Sequence, residues 1–211
     1  MATVLWRVRL RQETMIQIIN TGVANIRSLQ AAFDRMQKPW NLTENIDDIT
    51  SATHVVLPGV GAYAAAAEAI DRLALRETIA ARLKDHDVST LCICLGMQLL
   101  GTSSEESPGV TGLGVIDKTI TRFDDTVQVP QLGWNNVVPH ASNSSSFFQA
   151  GEAYFANSFR LSSPPQDWNY ATTDYGGEFV SCLWQGKTLA CQFHPELSGE
   201  WGQTLLENWA K

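Results

Sequence analysis

The chain has 211 residues, 44% of them hydrophobic and 18% charged, with a formal net charge of −7. That length is enough to bury a sizeable core in one large domain or two small ones, and the composition is that of a globular protein. The acidic balance disfavours nucleic acid and anionic membrane as principal partners, and no run approaches the roughly 20 apolar residues of a membrane span.

Four cysteines are present, but none forms a C-x-x-C pair, so zinc ligation and thioredoxin-like exchange have no support. Cys92 and Cys94 share an apolar run, while Cys182 and Cys191 fall in strand-like segments; this usage points to a reduced, cytoplasmic setting. The first 14 residues carry arginines at positions 7, 9 and 11 after apolar residues, with no small-residue cleavage site. That is not a signal peptide. Residues 1–14 read as an extension of no assigned role, and 15–211 as the functional domain.

The first strand spans Ile16 to Asn20, and Thr21-Gly22 turns out of it. From Ala24 onward, Ile26, Leu29, Phe33 and Met36 follow helical spacing until Lys38-Pro39 stops the run. A short strand follows over Trp40 to Thr43, then a buried one over Thr53 to Leu57. This alternation predicts an α/β fold: an open, mostly parallel sheet with helices on both faces.

Pro58-Gly59-Val60-Gly61 comes directly after the strand ending at Leu57. Glycines at the carboxyl end of a parallel strand let backbone amides approach a ligand closely; taken alone, the same residues also suit a tight turn. Neither a dinucleotide fingerprint nor a P-loop is present. Helices are predicted over Ala62 to Ile70 and Leu75 to Leu83.

Thr90 to Leu100 then reads as strand, sharp turn and helix, the layout of a nucleophile elbow. The serine counterpart, G-x-S-x-G, lifts its nucleophile at the turn and uses the next backbone N–H as an oxyanion donor. Cys94 is therefore the candidate nucleophile and the Leu95 amide the candidate donor. The competing reading is a buried strand with two packing cysteines.

Beyond a helix at Met97 to Leu100, short strands punctuated by Gly, Pro and Asn occupy the chain as far as Phe193, an added antiparallel region. Pro130 to Asn136 reads as a strand with a bulge around Trp134, and Tyr154 to Ser158 as another. Ser142 to Ser146 is a polar loop tip. Val180–Trp184 and Thr188–Phe193 form a hairpin through Gln185-Gly186-Lys187. A final helix carries Trp201, Leu205 and Trp209 on one side.

The hairpin runs into Phe193-His194-Pro195-Glu196. A thiolate nucleophile needs an imidazole to take its proton, and the imidazole needs a third group to orient it. His194 and Glu196, two apart in an extended segment, share a side. His54 is expected inside its strand, and His86 and His140 in loops or at the surface. Together the elbow, the glycine strip and the late His-x-Glu predict a Cys-His-Glu hydrolytic or transfer site, with Cys92, Cys182 and Cys191 as packing residues.

Pro58-Gly59-Val60-Gly61, Cys94-Leu95-Gly96-Met97-Gln98 and Gln192-Phe193-His194-Pro195-Glu196 resemble the signatures of class I (triad-type) glutamine amidotransferases. Asn25 to Leu29, Gly133-Trp134-Asn135 and Tyr175-Gly176 narrow the resemblance to the HisH-type glutaminase subunits of imidazole glycerol phosphate synthase, over Met15 almost to Lys211. The resemblance implies hydrolysis of L-glutamine through a Cys94 thioester, with His194 as base and acid and Glu196 orienting it. It implies oxyanion donors at Leu95 and within Gly59, Val60 and Gly61, and a substrate contact from Gln98. It implies no cofactor and no metal. The expected partner is a HisF-type (β/α)8 cyclase in a heterodimer, receiving ammonia through a tunnel for imidazole glycerol phosphate and AICAR formation in L-histidine biosynthesis.

Three departures stand out. Cys92 replaces a glycine usual two residues before the nucleophile, which would crowd the elbow. Leu197 replaces a lysine common after His-Pro-Glu. Asn157 stands in a Tyr-Phe-x-His-Ser-Tyr pattern where histidine is common. Two further readings stay open: a paralogous amidotransferase subunit supplying another acceptor, such as a nucleotide sugar, and a non-catalytic scaffold that binds a cyclase.

Overall fold

The computed structural model describes residues 15–22, 26–140 and 148–211. The N-terminal extension, the start of the first predicted helix at Ala24 and Asn25, and the polar tip at Ser142 to Ser146 lie outside the described residues.

The chain begins with β1 (Ile16–Ile19), α1 (Ile26–Arg35) and β2 (Trp40–Thr43). It continues with α2 (Ile46–Ser51), β3 (His54–Leu57), α3 (Tyr63–Arg72), α4 (Arg76–Lys84) and β4 (Ser89–Ile93). The α2 helix was absent from the sequence reading. Its signal is local: Asn45 caps it, the side-chain oxygen accepting from the Asp47 and Asp48 amides, and both aspartates sit in the first turn, where the helix dipole favours negative charge. Only Ile49 of α2 is buried, so its apolar stripe is too thin to stand out by periodicity.

A four-residue helix, α5 (Leu95–Gln98), follows β4 immediately, two residues earlier than the helix expected from Met97. The remaining elements are β5 (Ser103–Ser104), β6 (Thr119–Arg122), β7 (Gln131–Pro139), β8 (Gly151–Asn157), β9 (Phe159–Arg160), β10 (Asn169–Asp174), β11 (Glu178–Gln185) and β12 (Thr188–Cys191). A 3-10 turn at Pro195–Leu197 leads into α6 (Gly199–Trp209).

The main sheet has nine strands in the order β2-β1-β3-β4-β12-β11-β10-β7-β8. Strands β2, β1, β3, β4 and β12 are parallel, and the strands from β11 outward pair antiparallel. This is the predicted α/β architecture with its antiparallel region, which continues the parallel sheet as a wing. The irregularity expected near Trp134 lies elsewhere: β7 and β8 pair in unbroken register, and the bulge falls between Ala171 and Thr172 of β10. Gly186 (φ +53°) closes the predicted hairpin between β11 and β12.

Period-two alternation along the parallel strands divides two apolar layers. On one face Ile16, Ile18, Val56, Leu91 and Ile93 pack against α1 and α6 through Leu29, Phe33, Leu205 and Trp209. On the other, Val55, Leu57 and Cys92 pack against Ile49, Tyr63, Ile70 and Ile79 of α2, α3 and α4. Because β3, β4 and β12 are adjacent and parallel, their carboxyl ends bring Pro58–Gly61, Cys94 and His194 to one edge of the sheet. No helix among the described residues is long and apolar enough to cross a membrane.

Candidate active site

Strand β4 is buried at all five positions and pairs on both sides, Leu57↔Cys92 with β3 and Cys191↔Ile93 with β12. A strand clamped this way cannot slip in register, so the residue after it is placed firmly. That residue, Cys94, has φ +52° and ψ −108°, a conformation L-residues rarely adopt. It is held there by its amide donating to the Cys191 carbonyl at 2.7 Å and by its carbonyl accepting from the Met97 and Gln98 amides at 3.0 and 3.2 Å. Strain of this kind persists only where the surroundings over-determine it.

Cys92, by contrast, lies within β4 and directs its side chain into the α3/α4 layer. The crowding expected at the elbow is therefore absent. The glycine that the turn does require is Gly96, where a Cβ would meet the Leu57 carbonyl oxygen at 2.1 Å.

His194 follows β12 with its amide donating to the Tyr154 carbonyl at 2.9 Å, and its ring is buried. Nδ1 lies 2.8 Å from Glu196 Oε1, and the ring lines the same cavity as Cys94. With Nδ1 engaged by the carboxylate, Nε2 is left for the sulfur. Burial lowers the His194 pKa, but the hydrogen bonds to Cys94 and Glu196 and the charges of both outweigh it and raise it to about 10.

Cys94 and His194 open into a cavity of about 260 Å³, lined also by Val60, Gly61, Leu95 and Gln98. That volume lies just below the range of drug-sized ligand pockets and suits a small polar molecule. Of the predicted strip, Val60 and Gly61 line the cavity, Gly61 at φ +103°. Gly59 sits behind the cavity wall, pressed against the elbow: a Cβ there would come 2.7 Å from Leu95 Cβ. Its carbonyl accepts the Leu95 amide at 3.3 Å, so the expected oxyanion donor is occupied by the protein's own backbone. Gln98 is in the cavity wall, its Nε2 donating to the Phe159 carbonyl at 3.1 Å and to Gln192 Oε1 at 3.0 Å.

Two residues not singled out in the sequence belong to this site. Glu106 also lines the cavity and accepts the Tyr63 amide at 3.2 Å; it sits in a Glu-Glu-Ser-Pro-Gly loop with no periodicity to mark it. Gln192, inside the His-Pro-Glu motif, places its Nε2 3.6 Å from Cys94 Sγ. The other histidines fall as expected: His54 is buried at the start of β3 against the edge of the Trp209 ring, and His86 and His140 lie outside the strands, His86 half-buried and His140 exposed. Among the described residues no group of three or more His, Cys, Asp or Glu could hold a metal ion.

Residues 13–211 match the family model for class-I glutamine amidotransferase. An imidazole glycerol phosphate synthase subunit HisH from Methanocaldococcus jannaschii is 35% identical over 204 residues, spanning 93% of this chain and 99% of that protein. The Escherichia coli protein of the same description is 36% identical over 199 residues, spanning 92% and 97%. The chloroplastic imidazole glycerol phosphate synthase hisHF of Arabidopsis thaliana is 34% identical over 203 residues, which are 93% of this chain but 34% of that protein. A solved structure of a glutamine amidotransferase superposes with a TM-score of 0.72 at 16% identity, covering 93% of this chain and 99% of the other, a likeness of fold. With its fold, its strand-end Cys and His-x-Glu, and relatives matched nearly end to end, the chain belongs to the class I glutamine amidotransferases and, within them, to the HisH family.

Proposed function

We propose that residues 15–211 form the glutaminase unit of an imidazole glycerol phosphate synthase, with Cys94, His194 and Glu196 as its catalytic triad. The observation that carries this is His194, its Nδ1 2.8 Å from Glu196 Oε1, sharing the wall of a cavity of about 260 Å³ with Cys94. Cys94 Sγ attacks the side-chain amide carbon of L-glutamine, and the carbonyl becomes an oxyanion. The protonated His194 gives its proton to the departing nitrogen, the C–N bond breaks, and ammonia leaves behind a glutamyl thioester. Water then attacks, His194 takes its proton, and the C–S bond breaks to give glutamate. Glu196 holds the ring and stabilises its charge throughout. Val60 and Leu95 amides are assigned to the oxyanion, and Gln98 to the substrate. Glu106, a cavity carboxylate outside the triad, suits the α-ammonium group.

The ammonia acceptor is assigned as a HisF-type (β/α)8 cyclase. Relatives named as subunits of imidazole glycerol phosphate synthase support this, as does the Arabidopsis hisHF chain, about two thirds of which lies beyond the part matched here. Strand β7 presents Leu132, Trp134 and Val138 outward at 62%, 56% and 52% exposure, an apolar strip suited to such a partner. Gly199, next after Ser198 of the triad turn, packs near Trp134, so the strip adjoins the triad. The four free cysteines suit a reducing cytoplasm.

The test is glutamate and ammonia release, with and without a cyclase, for the parent chain and Cys94→Ala. Partner-stimulated activity that survives Cys94→Ala would overturn the assignment. Complementation of a histidine auxotroph lacking its glutaminase subunit separates this acceptor from a nucleotide sugar; well-expressed protein that fails to complement counts against it.

A further inference from the structure

The triad accounts for the proton on His194 but leaves open what fixes the sulfur itself. Cys94 Sγ has a polar neighbour besides the imidazole: Gln192, 1% exposed, with Nε2 at 3.6 Å. Which end of that amide faces the sulfur follows from the network around it. The Phe159 carbonyl can only accept, and Gln98 Nε2 donates to it at 3.1 Å. The same Gln98 NH2 group meets Gln192 at 3.0 Å, so Gln192 must present Oε1 there and turn its NH2 toward Cys94. Asn157 Nδ2 also donates to the Phe159 carbonyl, at 3.0 Å, fixing that anchor. The Gln192 backbone is tied by its amide to the Ser181 carbonyl at 2.9 Å.

We propose that Gln192 is a positioning residue for the nucleophile, its Nε2–H, oriented by Gln98, holding the Cys94 sulfur as the thiolate facing His194. The inference rests on Cys94 being the nucleophile. An amide N–H bonds more strongly to a charged acceptor than to a neutral one, so the contact favours the thiolate over the weakly accepting thiol. The charged and titratable groups around Cys94 are few. His194 faces it with Glu196 behind, and Glu106 lines the same cavity. Cys92, Cys182 and Cys191 are buried in the sheet, and burial pushes the Cys92 and Cys191 thiols well above the usual range. Gln192 is thus an uncharged donor to the sulfur, beside the imidazolium that carries the charge.

The experiment is the pH dependence of Cys94 alkylation by iodoacetamide, in which the sulfur displaces iodide; it needs no partner and no oxyanion hole. Gln192→Met keeps length and bulk without the donor, and its acid midpoint should rise by about one pH unit, so that below the parent's midpoint it alkylates about tenfold more slowly. Well above both midpoints the two rates should converge, which a merely structural loss would not produce. Gln192→Leu, which also lacks the donor and adds no charge, should raise the midpoint as far and decides the matter if Gln192→Met does not fold. Midpoints equal to the parent's in the folded variants would overturn the role of Gln192. Peptide mapping that found Cys94 unmodified in the parent would instead overturn the nucleophile assignment, and this proposal with it.

Discussion

Gly96→Ala is the most stringent test of how the elbow is built. A methyl group there would stand 2.1 Å from the Leu57 carbonyl oxygen and 3.1 Å from the Leu57 carbonyl carbon. Ordinary carbon–oxygen contacts begin near ~3.3 Å, so one side must retreat by about 1 Å. Neither side can do so cheaply. Leu57 ends β3, which pairs with β1 and with β4, and Gly96 belongs to the α5 turn that holds Cys94 at φ +52°. Overpacking against main chain costs about 3 kcal/mol at the upper end of the usual range, a fall in melting temperature of roughly 6–12 °C for a chain of this size. A displacement of about 1 Å at the nucleophile also costs on the order of 100-fold in rate. The assays are thermal melting and cyclase-stimulated glutamate release. Gly109→Ala is the control: nothing lies within 4 Å of its Cβ, and only its φ of +86° is strained. If Gly96→Ala melted within about 2 °C of the parent and kept its turnover, the close approach of α5 to β3 would not be what shapes the site.

Cys92→Gly should destabilise the fold by about 2 kcal/mol, from lost burial and the freedom of a strand glycine, and leave turnover unchanged; increased turnover in the variant would show that the Cys92 side chain does crowd the elbow. His54 has its pKa lowered to about 4, first by burial and then by the charges of Lys38, Arg82 and Lys187. A depressed imidazole stabilises the fold above its ordinary value of 6.5 and loses that contribution as pH falls toward about 4. The stability advantage of the parent over His54→Leu, from denaturant titrations, should therefore shrink between those pH values, and a constant difference would contradict the assignment. Trp134→Ala should weaken cyclase binding by about 30-fold or more in calorimetric titration, as for a central aromatic anchor, while leaving the melting temperature unchanged. Unaltered affinity would move the docking surface off β7.

The parallel half of the fold was legible because its strands are short, apolar and followed by residues that can only be turns. His54 to Leu57 with Pro58-Gly59, and Ser89 to Ile93 with Cys94, carry strand and punctuation together. The triad was legible for a related reason: adjacent parallel strands must end at the same edge, so three strand-end motifs had to meet. Glu106 was not, because its place depends on a loop folded over the cavity from 12 residues beyond Cys94, a path no local pattern encodes. Cys92 packs as its apolar run implies, but the crowding expected at the elbow is not found, because period two sends position 92 to the opposite layer from position 91. The Leu95 amide was assigned by its position after the nucleophile, and its actual acceptor is a carbonyl on a neighbouring strand end.

That last contact bears on how such an enzyme is held in check. Cys94, His194 and Glu196 stand together beside an open cavity, yet the Leu95 N–H points at Gly59 O across 3.3 Å. An absent oxyanion donor typically removes about 100- to 1000-fold of rate, equivalent to roughly 3–4 kcal/mol of barrier. The bond that sequesters the donor is worth only about 1 kcal/mol net, being neutral and long. Releasing it requires the Gly59–Val60 peptide to rotate, and Gly61 beside it already occupies a φ of +103° with open space around it. Acting alone, a contact of that size leaves about one molecule in six in the released form and so slows turnover only about sixfold. A partner that binds the rotated form only slightly better than the closed one shifts the population by its differential affinity, and about 1–2 kcal/mol suffices here. A partner can in this way raise turnover severalfold without any change to Cys94, His194 or Glu196.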